Sequence, residues 1–329
     1  MGGPIRPILE VPPGRFDRVA CRSTVPANPT TEKPFTWRTS LLSLAVSVSR
    51  GGNQVAIKYA LAALAPLWTA FARMGVSAIA VWVYARFAGI RLWPEPGEKR
   101  LLSLLGAMFT VQIGLLHWGA DWTSPAYAVT LINTNPIFAN LIAHFFVPAD
   151  RLTPQRALGL AISFAGICYV SFGRPEAALA PHPLLGNWVI IVSAALVGIR
   201  TVYIQRIVQR MPVTRAVFWQ MLFSIPCFAI GGWFAGDAIR GPFDWRPATA
   251  ILYQGFIVGG VALVLWVKLL KAHSPGRISV FSFATPMAGL ILSSFFFGEQ
   301  ITTRLWFGLA AVITGIYLAA KPADDLPRP

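Results

Sequence analysis

Apolar residues in this chain alternate with polar ones at no strand-like period. They come in long blocks, cut by short runs of proline, glycine and charge such as "RLWPEPGEKR", "GRPEAALAPHP" and "GDAIRGPFDWRP". A block of about 20 apolar residues suits an α-helix that crosses a bilayer. Ten blocks can be read, at 39–60, 66–87, 101–120, 126–147, 156–173, 184–204, 214–235, 247–267, 278–297 and 303–320. The pattern predicts an all-α integral membrane protein with ten transmembrane helices.

The blocks repeat. "TNPIFANLIAHFF" (Thr134 to Phe146) returns as "ATPMAGLILSSFF" (Ala284 to Phe296), each with proline at its third place and Phe-Phe at its end. With one residue of gap, the following stretches align Asp150 with Glu299, Thr153 with Thr302, Gly159 with Gly308 and Gly166 with Gly315. The chain divides into a disordered cytoplasmic tail (1–37), a first repeat (38–173), a linker (174–183), a second repeat (184–320) and a short cytoplasmic tail (321–329). Five helices is an odd number, so the copies must lie in opposite orientations across the membrane. Two inverted five-helix repeats imply a secondary transporter whose site lies between the repeats near the midplane.

Composition agrees. The chain is 55% hydrophobic and 12% charged, against about 25% charged in soluble domains. Its net charge of +15 would suggest nucleic acid in a soluble protein, but its distribution points to the membrane. With the amino terminus inside, twenty of the 28 Lys and Arg residues fall on the cytoplasmic side and four, Arg174, Arg240, Arg246 and Arg304, on the other. That bias puts both termini in the cytoplasm. The partners expected are the bilayer and a small-molecule substrate, without nucleic acid; the oligomeric state is not legible. Cys21, Cys168 and Cys227 have no metal or disulfide spacing, and no cofactor is expected. The tail lacks a signal-peptide run.

The same residues carry a resemblance. "NTNPIFANLIAHFFVPADRLTPQRALGLAISFAGI" and "FATPMAGLILSSFFFGEQITTRLWFGLAAVITGI" resemble the end of the repeat in EamA-type transporters of the drug/metabolite transporter superfamily. "GGNQVAIKYALAALAPLWTAFAR" is similar to the start of that repeat. Two places depart from the pattern: Arg50 stands where tryptophan is common, and "VPAD" replaces a Gly-Glu pair. The resemblance implies an inner-membrane carrier of metabolites, often outward, and names no substrate.

Four cations lie inside the predicted helices: Arg50, Lys58, Arg73 and Arg200. Arg50 is near the middle of its span, roughly 15 Å from an interface. A charge at that depth should face protein or a water-filled cavity, so Arg50 is the first candidate for binding an anionic group. Arg73 is the second. Lys58 reads as a snorkelling residue and Arg200 as an interface anchor. Asn53, Asn133, Asn140, Trp219 and Gln220 complete the candidate substrate site. Pro136 and Pro286 hold matched places and are candidate hinges. Asp150 and Glu299 sit beside the start of the next helix and should cap it. No carboxylate lies mid-helix, so no acidic proton relay is expected, and there is no catalytic or metal constellation to suggest an enzyme. The function expected is alternating-access transport of an amino acid or other carboxylate-bearing metabolite, outward. A sugar-phosphate or nucleotide-sugar exchanger, a cationic drug exporter and a structural or receptor-like membrane protein are the alternatives.

Overall fold

A computed structural model describes residues 37–146, 154–173, 178–236, 238–272 and 284–320. The tail before Trp37, Asp150 and the residues after Ala320 lie outside these. Every regular element among the described residues is helical: α1 (Trp37–Gly51), α2 (Asn53–Leu61), α3 (Pro66–Phe87), α4 (Glu98–Trp122), α5 (Pro125–Ile132), α6 (Asn135–Phe146), α7 (Pro154–Ser171), α8 (Pro183–Ile207), α9 (Val213–Ala235) and α10 (Trp245–Leu252). A π-helical segment (Tyr253–Ala262) follows, then α11 (Leu263–Ala272), α12 (Ala284–Phe297) and α13 (Thr303–Ala320). One isolated β-bridge joins Leu64 to Ile239. Five helical stretches among the described residues are long and apolar enough to cross a membrane: Pro66–Phe87, Glu98–Trp122, Pro183–Ile207, Val213–Ala235 and Trp245–Trp266.

Several predicted blocks are not single helices. The first bends at Gly52, yet Gly52 N–H still reaches the Val48 carbonyl at 3.2 Å and Ala56 N–H reaches Gly52 at 3.0 Å. Glycine is needed there because a side chain at Gly51 would strike the Thr285 carbonyl of α12, and one at Gly52 the Tyr253 hydroxyl. The fourth block breaks between α5 and α6 because Pro136 has no N–H for the Ile132 carbonyl. Asn135 supplies the missing donor, its Nδ2 lying 2.9 Å from that oxygen. Asn133 Nδ2 and Thr134 Oγ1 bond the Val129 and Leu131 carbonyls likewise. A break in hydrocarbon is tolerated when freed backbone groups are satisfied in this way.

Buried Ile57, Met74, Leu131, Ile190 and Met221 share one core with Leu290, while Phe87, Trp233, Phe234, Phe295 and Phe307 point outward. Such an apolar exterior fits lipid as its solvent. α7 lies against α13 with backbones close together. A Cβ on Gly166 would come 2.9 Å from the Gly308 carbonyl, and one on Gly315 would come 2.3 Å from that of Gly159. Small residues permit this approach between membrane helices.

Candidate substrate site

Arg50 falls in the last turn of α1. Its guanidinium lies over the Trp266 ring of α11, 5.0 Å from the centroid, and its charge is felt at Arg200 of α8. Arg200 lies over Phe109 of α4 at 4.9 Å and donates from Nη1 to Gln220 Oε1 of α9 at 3.1 Å. Its Nε has no hydrogen-bond partner. Two guanidiniums thus meet aromatic faces inside the bundle, Arg50 that of α11 and Arg200 that of α4 together with the α9 amide. Cation–π contact offsets part of the desolvation of each guanidinium. Among the described residues the ion pairs are Arg215 with Glu95 and Glu98, and Arg240 with Asp121. No carboxylate there pairs with Arg50 or Arg200.

Arg200 was expected as an interface anchor. Instead it turns into the bundle, because α8 packs on α4 and its side chain follows that seam. The signal available in the sequence was its lack of an acid partner, shared with Arg50.

The other candidates separate. Gln220 joins the arginine pair. Asn53 is buried at the start of α2 with Oδ1 unpartnered. Asn133 donates its amide to its own helix. Trp219 Nε1 donates to the Leu92 carbonyl at 2.7 Å, and its ring faces a recess of about 250 Å³ lined by Pro94, Lys99 and Phe223. The side chain of Asn140 lies outside the described residues. Arg73 is 7% exposed and lies about 10 Å from the start of α3. Pro286 is buried in the first turn of α12, directly after Thr285, whose carbonyl faces Gly51.

Two other charges tie helices together. Lys58 does not snorkel: its ammonium donates to the Ala120, Asp121 and Thr123 carbonyls at 3.0–3.1 Å, capping the C-terminus of α4. Glu299, 2% exposed, caps a helix start, but that of α5 rather than of the following α13. Its carboxylate accepts from Ser124 Oγ, from Ala126 N–H at 3.2 Å and from Ser293 Oγ at 2.5 Å. Thr302 serves α13, accepting from Leu305 N–H at 3.3 Å. Sequence proximity suggested the near helix; the chain turns so that Glu299 meets the remote one.

Residues 37–172 and 184–321 each match the profile of the EamA-like transporter family. The chain belongs to that family. An EamA-like transporter is a membrane carrier and not an enzyme. An uncharacterized transporter of Archaeoglobus fulgidus is 25% identical over 269 residues, covering 81% of this chain and 92% of that protein. The Bacillus subtilis uncharacterized transporter YoaV is 18% identical, covering 84% and 94%. A protein of Streptantibioticus cattleyicolor named a probable terminal-alkyne amino-acid exporter is 22% identical, covering 75% and 81%. A solved crystal structure superposes with a TM-score of 0.61 at 18% identity, covering 85% of this transporter and 94% of that chain; the likeness concerns the fold.

Proposed function

We propose that this EamA-like transporter carries a small carboxylate-bearing metabolite outward across a bacterial cytoplasmic membrane, with both termini inside. The observation that carries the reading is the Arg50–Arg200 pair. Two cations in the interior that repel one another and lack an acid are costly. An anionic substrate supplies the missing charge, Gln220 adds a polar contact, and Trp266 and Phe109 offer apolar faces to the rest of the molecule. A cationic drug would meet repulsion at this place.

The carrier works by alternating access between two inverted repeats. Several features support this. The two family matches fall on successive halves of the chain. The helix pairings interchange when the halves are exchanged: α7 with α13 and α3 with α9 each pair an element with its counterpart. Likewise α4 with α9 mirrors the π segment with α3, and α6 with α8 mirrors α12 with α1. The bend at Gly52 and the break before Pro136 interrupt helices as transporter sites require. Pro136 and Pro286 are the hinges, and the cation bias of the loops sets the orientation. The exporter relative supports outward movement.

Proteoliposome counterflow tests the reading, with a panel of labelled amino acids and organic acids. Saturable exchange of at least one acid is expected, lowered about a hundredfold in Arg50→Gln and in Arg200→Gln, about 3 kcal/mol for a charge-assisted contact. Exchange of cations alone, or exchange of acids unchanged in both variants, would sink it.

A further inference from the structure

Away from the arginine pair, the interior holds a second concentration of polar groups. Among the described residues, ten buried side-chain polar atoms have no hydrogen-bond partner, and five belong to Arg73, His117 and Gln254: Arg73 Nε and Nη1, His117 Nε2, and Gln254 Nε2 and Oε1. His117 and Gln254 are both 0% exposed. The three come from three elements, α3, α4 and the π segment. Arg73 is close enough for its charge to act on the imidazole, and Gln254 stands beside that ring; a Cβ on the next residue, Gly255, would lie 3.1 Å from the Arg73 carbonyl.

The backbone holds the cluster in place. Ser77 Oγ donates to the Gly255 carbonyl at 3.1 Å. Gly255 and Gly259 lie so close to Val76 and Ser77 that a Cβ on either would collide. This contact clamps α3 onto the π segment one turn beyond Arg73. Gln254 is the second residue of that segment, and π turns recur where a helix is reshaped for function. Counting along the helices, Arg73 is about 10 Å from the start of α3, and His117 about 8 Å from the end of α4. Arg200 lies some 26 Å from the start of α8 at the same end. Arg50, eleven residues before the end of α2, lies roughly 16 Å from that end. The cluster is therefore well apart from Arg200 along the axis and about 6–8 Å nearer that end than Arg50.

A desolvated guanidinium with two idle donors needs an anion. We infer that Arg73 and Gln254, beside His117, form a second binding site, for a small singly charged anion. Arg73 and the Gln254 amide are its donors. His117 Nδ1 is 2.9 Å from the Ile113 carbonyl, so in the neutral ring Nδ1 carries the proton and Nε2 is an acceptor with no partner. Two sources share this chemistry: a free halide moving as a co-ion, and the carboxylate of the carried molecule resting at a second station.

The test is thermal melting of the purified full chain in detergent at constant ionic strength, with sulfate replaced by bromide or by acetate. The wild type should show a saturable rise in Tm with at least one anion. The rise should vanish in Arg73→Gln and persist in Arg50→Gln. Bromide acting without acetate identifies a co-ion, and acetate acting without bromide identifies the carboxylate station. The site is overturned if neither anion stabilises the wild type, if Arg73→Gln responds as the wild type does, or if Arg50→Gln removes the response. Should Arg73→Gln not fold, Gln254→Leu must weaken binding about tenfold, the worth of one charge-assisted hydrogen bond; an unchanged midpoint overturns the site. Because Arg50→Gln is expected to lose transport yet keep this response, failure of the anion site and failure of the transport reading remain distinct.

Discussion

At the scale of single residues, charge in this interior serves two purposes that the sequence does not separate. Lys58, Arg50, Arg73 and Arg200 are all cations within apolar blocks. Lys58 spends its three donors on three carbonyls at the end of α4, whereas Arg73 and Arg200 keep donors idle. Lys58→Met should therefore lower stability by about 2 kcal/mol, the loss of charge-assisted bonds to a helix end, with Arg at the same place recovering part of it. Melting in detergent checks this, and a Tm equal to wild type would remove the capping role. Glu299→Gln is a parallel case. The carboxylate faces three donors, and an amide must turn its NH₂ toward at least one of them. A loss of about 1–3 kcal/mol is expected, and an unchanged melt would mean that the cap is dispensable. The sequence placed Glu299 at a helix start correctly in kind and wrongly in address, because pairing across the chain is not encoded in neighbouring residues.

At the scale of elements, most helix positions were legible. The block 66–87 is α3 to the residue, because proline opens it and the loop after Phe87 closes it. What the sequence concealed was interruption. Pro136 announced a kink, and the structure shows a break, since Asn133, Thr134 and Asn135 all turn their side chains onto carbonyls of α5. The π segment left no trace, because backbone hydrogen-bond register does not alter hydrophobicity. Of the two arginines in the proposed site, depth singled out Arg50, while Arg200 looked peripheral until its helix was packed. Glycine gives a test at this scale. Gly315→Ala inserts a methyl against the Gly159 backbone, where no side-chain rotation can relieve it, and should cost about 1–3 kcal/mol. Gly75 lies on α3 with nothing within 4 Å of the place a methyl would take. Gly75→Ala should be neutral, or stabilise by up to about 1 kcal/mol through helix propensity. Equal melting shifts for the two variants would refute close α7–α13 packing as a determinant of stability.

At the scale of the whole molecule, one end of the bundle is closed by contacts between distant parts of the chain. Tyr59 stacks on Phe297 at 4.7 Å between ring centroids, and its hydroxyl donates to the Phe296 carbonyl at 3.2 Å. Arg240 pairs with Asp121 at 2.8 Å, and Ala65 N–H meets the Ala238 carbonyl at 3.2 Å. Glu299 holds α5 from the far side of the sequence. None of these joins neighbours along the chain, so all must part if the arginine pair is to reach that face of the membrane. A carrier by alternating access breaks them once in each cycle, whereas a protein that never opens there keeps them permanently. Cysteines at Tyr59 and Phe297, in a chain cleared of its three native cysteines, distinguish the two when bridged by a short bifunctional thiol reagent. Bridging should abolish exchange in proteoliposomes, and cleavage of the bridge by reductant should restore it, while each single cysteine remains active. Undiminished exchange through the bridged protein would show that this end does not open, and the path from Arg50 would then have to leave the bundle elsewhere.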